Sequence, residues 1–151
     1  MPTTSRSRTL PVPVERVWEL VADPHHLPRW WPRVARVEGV DEASFTEVLA
    51  TAKGRMLRAD FRVLHSDPPL RRVWAQELEG TPFARVLSAA QTEVRLDADG
   101  FAGGPADATV VTLELRQSLR GVFARLGSFM VRRATARLLD EALDGLESIV
   151  G

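Results

Sequence analysis

The sequence predicts an α+β fold in which a curved antiparallel sheet of seven strands wraps around one long C-terminal helix. Residues 33–119 show an apolar period of two, which is typical of half-buried strands. Only short turns separate these segments, so neighbouring strands must pair antiparallel. Past Gly121 the apolar period returns to about 3.6 and no proline follows, which predicts a helix from about 121 to 149.

A strand over residues 3–11 and two short helices are predicted before this region. Pro13 opens the first helix, because a proline at the first helical position loses no hydrogen bond. Asp23-Pro24 ends this helix, and the Asp23 side chain is placed to cap a second helix that continues to Trp30. The apolar stripe of the first helix consists of Val14, Val17, Trp18 and Val21.

Six strands then follow, which gives the order β-α-α-β6-α. The first covers 33–40, and Phe45, Glu47 and Leu49 begin the second. The remaining strands are predicted from apolar residues that alternate with charged ones. These apolar sets include Leu57, Ala59, Phe61 and Val63, then Trp74 and Leu78, then Val86, Ala90, Val94 and Leu96, and finally Val111, Leu113, Leu115 and Leu119.

Composition excludes several classes of protein. With 151 residues the chain fits one domain, and its 20 basic residues balance its 20 acidic ones, which argues against a nucleic-acid-binding protein. The chain has no cysteine, so disulfides, thiolate metal sites and a cysteine nucleophile are excluded. Neither a signal peptide nor an apolar run of about 18 residues is found, and we therefore expect a cytoplasmic protein without a membrane span.

Motifs for covalent, metal or cofactor chemistry are missing from the sequence. It contains no nucleophile elbow, phosphate-binding glycine loop or dinucleotide fingerprint, and we predict no cofactor. His25 and His26 are adjacent and point in different directions, and His65 ends a strand, so no metal site is predicted. The histidine pair is interpreted as a surface feature, with the alternative that His26 lines a cavity entrance as a proton shuttle.

Three separated motifs resemble the START/SRPBCC superfamily, and within it the polyketide cyclase/dehydrase-like families. The segment Leu10-Pro11-Val12-Pro13-Val14-Glu15-Arg16-Val17-Trp18 is similar to the opening pattern of the family. Asp23-Pro24, Leu27 and Trp30-Trp31-Pro32 resemble its second helix, and Ala134 to Leu146 resembles its closing helix. The resemblance implies a helix-grip fold with a cavity for a polyketide, a lipid or an isoprenoid.

A cavity is also expected because a curved sheet wrapped on one helix cannot fill its concave side with backbone. Small residues are predicted on both sides of this space. In the alternative, the four tryptophans and six phenylalanines of the chain fill it completely. The residues predicted to line the cavity and bind a ligand are Trp30, Phe61, Trp74, Ala90, Thr92, Leu113, Gln117, Phe129 and Thr135.

Three functions are compatible with such a cavity. A cyclase or dehydratase would act by general acid–base chemistry and positioning, for which Arg8, His26 and Gln76 are the candidate catalytic residues. Arg8 has the strand parity of Leu10, although a twist of the first strand would carry it to solvent instead. The alternatives are a non-catalytic lipid or isoprenoid carrier, and a protein-interaction module whose cavity is filled.

Charge is unevenly distributed over the last predicted helix. Residues 116–137 contain six arginines and no acid, whereas residues 138–151 contain four acids and no base. We favour pairing of Arg132, Arg133 and Arg137 with Glu47, Asp60 or Glu93 on the sheet. The alternative is a docking patch for an acidic carrier protein or an anionic membrane surface.

Overall fold

The computed structural model describes residues 2–98, 107–121, 124 and 128–151. Strand β1 (Thr3–Leu10) is followed by helix α1 (Val14–Ala22), a 3-10 turn (Pro24–His26) and helix α2 (Leu27–Trp30). The next strands are β2 (Val34–Glu38), β3 (Ser44–Ala50), β4 (Met56–Asp67) and β5 (Arg71–Gln76). A 3-10 turn (Pro82–Arg85) precedes β6 (Leu87–Ala98), β7 (Thr109–Leu119) and helix α3 (Ser128–Val150).

The strands form one seven-stranded sheet in the order β1-β7-β6-β5-β4-β3-β2, and every neighbouring pair is antiparallel. The register shifts within the β2–β3, β4–β5 and β6–β7 pairs, and such irregularities bend a strand and increase its twist. The predicted fold class is therefore confirmed, including the curved antiparallel sheet and the C-terminal helix.

Helix α3 covers one part of the concave face and leaves another part open. It contacts β1, β7, α1 and α2, and four of its apolar side chains are fully buried: Leu139, Ala142, Leu143 and Leu146. These residues recur at helical spacing because only the stripe that faces the sheet is apolar. The fully buried residues of the helix lie in its C-terminal half, which packs against β1 and α2.

Two details differ from the sequence prediction. The segment after β5 was predicted only as a break at Gly80-Thr81-Pro82, whereas Pro82–Arg85 forms a 3-10 turn. Gly121, where the helix was predicted to begin, lies in a turn with φ 60°. Residues 122–123 and 125–127 and most of the predicted loop at 97–107 lie outside the described residues. Within the described part of the chain, no helix is long and apolar enough to span a membrane.

Candidate functional site

A pocket of about 340 Å³ lies at the inner face of the sheet, where α3 leaves it uncovered. Strands β3 to β7 supply most of its walls, and the segment after α2 and Leu138 of α3 complete it. The volume falls in the range of small-molecule sites. The large apolar side chains that line it are Trp31, Leu49, Leu57, Phe61, Trp74, Phe83, Leu115 and Leu138. Its polar side chains are Arg33, Glu47, Thr51, Gln76, Thr92 and Gln117.

Aromatic rings form a packed cluster along one wall of this pocket. Trp31 meets Trp74 edge to face, with ring centroids 6.5 Å apart. Phe45 stacks on Phe61 at 5.3 Å and meets Trp74 edge to face at 6.3 Å. Contacts of this kind hold aromatic side chains in fixed orientations. The pocket therefore has a preformed flat wall against which a planar or alkyl group can pack.

Glu47 is the ionisable group buried in this pocket. It lies on β3 between Phe45 and Leu49 on the inner face, and only 4% of its surface is exposed. Its carboxyl group has no hydrogen bond or ion pair with any residue that the structure describes. Burial without compensation disfavours the charged form and raises the pKa of Glu47 to about 8. The side chain is therefore mostly a neutral acid at neutral pH, and it faces space that a ligand can enter.

Glu93 shows how nearby cations counteract the effect of burial on a carboxyl group. It is also 4% exposed, but its carboxylate contacts Arg71 and lies 2.9 Å from the Arg95 guanidinium. Burial alone would raise the pKa of Glu93, yet the hydrogen bond and charge of Arg71 together with the charge of Arg95 outweigh it and lower the pKa. Glu93 therefore forms ion pairs with arginines of the sheet, whereas Glu47 has no ion-pair partner among the described residues.

Side-chain amides and hydroxyls provide the other polar groups of the pocket. Thr135 of α3 donates a hydrogen bond of 3.2 Å to the Gln117 carbonyl oxygen, which orients that amide. The amide nitrogen of Gln117 remains available as a donor. Gln76 and Thr92 line the pocket on neighbouring strands, where Trp74 pairs with Thr92 in the β5–β6 register. These groups can hydrogen-bond to carbonyl oxygens of a bound molecule.

Six of the residues predicted from the sequence line the pocket: Phe61, Trp74, Gln76, Ala90, Thr92 and Gln117. The other four predicted lining residues lie elsewhere. Trp30 and Leu113 are buried in the main core under α3, because the helix covers that part of the sheet. Phe129 is 75% exposed, and Thr135 lines an adjoining pocket.

The candidate catalytic residues Arg8 and His26 also lie outside this pocket. Arg8 contacts the Asp144 carboxylate and lies 3.8 Å from Glu147, both in the acidic half of α3. Because β1 is an edge strand, Arg8 reaches the acidic half of α3 and not the pocket. His26 lies beside Asp23 and Arg29 at the start of α2, away from the lining residues. Arg8 is thus engaged in ion pairs with α3, and the His26 side chain is partly exposed.

The predicted pairing of the α3 arginines with the sheet is wrong. Arg132, Arg133 and Arg137 are exposed, and none forms an ion pair with a residue in the described part of the chain. Their proposed partners are engaged or enclosed: Glu93 binds other arginines, Asp60 accepts a hydrogen bond of 2.6 Å from Thr46, and Glu47 is buried. It is the acidic half of α3 that pairs with the sheet, through Arg6 and Arg8 of β1.

A family model described as polyketide cyclase/dehydrase and lipid transport matches residues 1–151. The chain belongs to this family. A search of the curated proteins finds no match.

Several solved structures share the fold of this polyketide cyclase/dehydrase family member. A START superfamily protein from Mycobacterium smegmatis has 12% identity and a TM-score of 0.77, with 98% of this chain and 96% of that chain covered. A protein from Thermus thermophilus has 23% identity and a TM-score of 0.72, with 99% and 97% covered. The di-domain ARO/CYC BexL from the BE-7585A biosynthetic pathway has 20% identity and a TM-score of 0.77, with 98% of this chain and 46% of that chain covered. At these identities the likeness shows the fold.

Both described ionisable residues that line the pocket of this family member, Glu47 and Arg33, were missed as site residues in the sequence. Glu47 alternates with Phe45 and Leu49, and a carboxylate that shares the parity of two apolar residues signals a buried acid. Arg33 lines the pocket at a left-handed backbone position, φ 68°, that its sequence context does not indicate. In the described part of the chain, no group of three or more metal-ligating side chains is close enough to hold a metal ion.

Proposed function

We propose that this chain binds an apolar small molecule in the pocket. We further propose that Glu47 takes a proton from this molecule and returns it, which is the chemistry that a cofactor-independent polyketide cyclase or dehydratase requires. The observation that carries the proposal is the Glu47 carboxyl group, which lies in a predominantly apolar pocket without a partner among the described residues. General acid–base groups work best when their pKa lies close to the working pH, and burial brings the pKa of Glu47 to about 8.

The proposed step is an intramolecular aldol reaction that leaves Glu47 unchanged. The ionised carboxylate takes a proton from a carbon between two carbonyl groups, and the electron pair of the broken C–H bond forms an enolate. The enolate carbon attacks another carbonyl carbon of the same molecule, so a C–C bond forms and the C=O π bond becomes an alkoxide. Glu47 returns the proton to this alkoxide. The balance needs no oxidant, reductant or second substrate.

The neighbouring polar groups are proposed to position the reacting carbonyls. Gln76 and the free amide nitrogen of Gln117 can donate hydrogen bonds to the oxygens that gain negative charge. Thr135 holds the Gln117 amide through its hydroxyl group, so the donor does not have to reorganise when the substrate binds. The aromatic wall of Trp31 and Trp74 would hold the substrate in a folded conformation for ring closure.

Proton transfer at carbon can be tested without the natural substrate. The probe is 1-phenylbutane-1,3-dione, an aromatic β-diketone, and the measurement is deuterium incorporation at its central carbon in D₂O. The wild-type protein should accelerate the exchange, and Glu47→Gln should lower this acceleration by about 100-fold, the usual size of a general-base contribution. Glu15→Gln, an exposed glutamate on α1, is the matched control and should exchange as wild type does. Equal acceleration by Glu47→Gln would overturn the catalytic assignment.

A non-catalytic lipid or isoprenoid carrier is the second candidate, favoured by the predominantly apolar lining. A carrier would bind the diketone or a lipid with no acceleration of exchange. The third candidate, an interaction module with a filled cavity, is disfavoured by the open volume of about 340 Å³. We keep an acidic carrier protein within the proposal, since Arg132 and Arg133 are exposed and unpaired with any described residue. A cytoplasmic location is also part of the proposal.

A further inference from the structure

A second pocket, of about 360 Å³, adjoins the first along α3. The two pockets share Arg33 and Leu138 in their linings. The hydrogen bond from Thr135 to Gln117 also joins them, because Thr135 lines the second pocket and Gln117 lines the first. The two spaces therefore lie next to each other at these side chains.

The second pocket carries more positive than negative charge. Its ionisable residues are Arg33, Arg137 and Glu141, and none of them has a side-chain ion pair with a residue that the structure describes. Unpaired guanidinium groups beside a cavity are suited to bind carboxylate, sulfonate or phosphate oxygens.

The backbone of Arg33 places its side chain at the junction of the two pockets. Among the described residues, Arg33 is the one non-glycine with a positive φ, at 68°. Left-handed conformations are uncommon for such residues. The neighbouring strand holds the position, since the Ala50 amide donates a hydrogen bond of 2.9 Å to the Arg33 carbonyl oxygen. The backbone of Arg33 is thus held where the apolar pocket meets the charged one.

We infer that the ligand has an apolar body and an anionic head group, with the body in the inner pocket and the head bound by Arg33 and Arg137. This inference rests on the proposed function, because it assumes that the inner pocket takes a ligand. The orientation follows from charge: Glu47 is enclosed by apolar groups and suits a neutral part of the ligand, whereas the arginines suit the charged end. Carboxylate and phosphate heads share this chemistry.

Two fluorescent probes that differ by one charged group test the inference. N-phenyl-1-naphthylamine is neutral, and 8-anilinonaphthalene-1-sulfonate adds a sulfonate to the same ring system. The test variant combines Arg33→Asn with Arg137→Gln, because asparagine tolerates a left-handed backbone better than most residues. This double variant should weaken binding of the sulfonate probe about tenfold and change the neutral probe by less than about twofold.

The matched control removes the same charge from outside the pocket. Arg132→Gln with Arg133→Gln alters two exposed arginines of α3 that line neither pocket, and both probes should bind this variant within about twofold of wild type. Equal losses for the two probes, or unchanged sulfonate binding in the Arg33→Asn/Arg137→Gln variant, would overturn the inference. If the neutral probe fails to bind the wild-type protein, the proposed pocket function itself is wrong.

Competition against the neutral probe identifies the head group. Dodecanoate and dodecyl phosphate should displace it at lower concentrations than dodecanol, which has the same alkyl chain without the charge. The anion that displaces the probe at the lower concentration carries the head group that the arginines prefer. Displacement by dodecanol at the same concentrations would contradict an anion subsite.

Discussion

Gly145 of α3 lies directly against the backbone of Trp30 at the end of α2. A Cβ atom at position 145 would come within 2.5 Å of the Trp30 carbonyl oxygen and 2.8 Å of its Cα atom. Glycine is therefore required for the close approach of the two helices. Trp31, the next residue after Trp30, lines the ligand pocket, so this contact also determines where one wall of the pocket lies.

Gly145→Ala should destabilise the protein. Alanine favours a helix over glycine by about 1 kcal/mol, but the added methyl group must displace the Trp30 backbone, and such overpacking costs about 1–3 kcal/mol. We expect a net loss in the free energy of unfolding, measured by urea denaturation. Arg133→Ala, at an exposed site on the same helix, provides the comparison and should change stability by less than about 0.5 kcal/mol. A stabilised Gly145→Ala protein would show that the helices do not approach this closely.

The pKa of Glu47 predicts a specific pH dependence of stability. The pKa is about 8 in the folded protein and 4.5 when the group is unperturbed, so between these values the folded state binds a proton that the unfolded state lacks. The contribution of this bound proton to the free energy of unfolding is fully present below pH 4.5. It falls by up to about 1.4 kcal/mol per pH unit above pH 4.5 and is lost as the pH rises through 8.

Glu47→Gln should remove this slope, because the amide does not titrate. The difference in unfolding free energy between this variant and wild type should shift by about 3–5 kcal/mol in favour of the variant from pH 5 to pH 9. Urea denaturation at several pH values measures it. Other titrating groups are common to both proteins and cancel in the difference. A difference that does not vary with pH would mean that Glu47 is solvated.

Filling the inner pocket should abolish binding of the neutral probe. Ala90 lines the pocket and is 9% exposed, so the indole of Ala90→Trp would occupy the space that the ligand needs. We expect the dissociation constant of N-phenyl-1-naphthylamine to rise at least about tenfold. Ala35→Trp adds the same ring at an exposed position of β2 and should bind as wild type does. Unimpaired binding by Ala90→Trp would place the ligand elsewhere.

Local patterns predict the fold of this chain well and its site only in part. Alternation along single strands identified Phe61, Trp74, Gln76, Ala90, Thr92 and Gln117 as inward-facing, and all six line the pocket. The same alternation could not reveal which inner residues α3 covers, so Leu113 and Trp30 were predicted in the pocket although they lie in the core. That information depends on how a helix crosses the sheet, which is a tertiary property.

Charged residues were the least predictable from the sequence. Arg8 has inward parity, but it contacts Asp144 across 136 positions of the chain, a pairing that no local pattern contains. Arg132 and Arg133 were expected to pair with the sheet, and the structure leaves them exposed. The sequence did indicate that Glu47 is buried, because it alternates with Phe45 and Leu49. That its carboxyl group has no partner among the described residues is a tertiary property.

The central claim is that a small molecule binds in the inner pocket against a neutral Glu47 carboxyl group. Carbon-13 NMR of the glutamate side chains, with Glu47→Gln used for assignment, measures this group directly. We predict that the Glu47 resonance titrates near pH 8 and that saturating N-phenyl-1-naphthylamine raises its pKa further, because the ligand excludes water from the carboxyl group. A resonance that titrates near 4.5, or one that the ligand does not shift, would contradict the account.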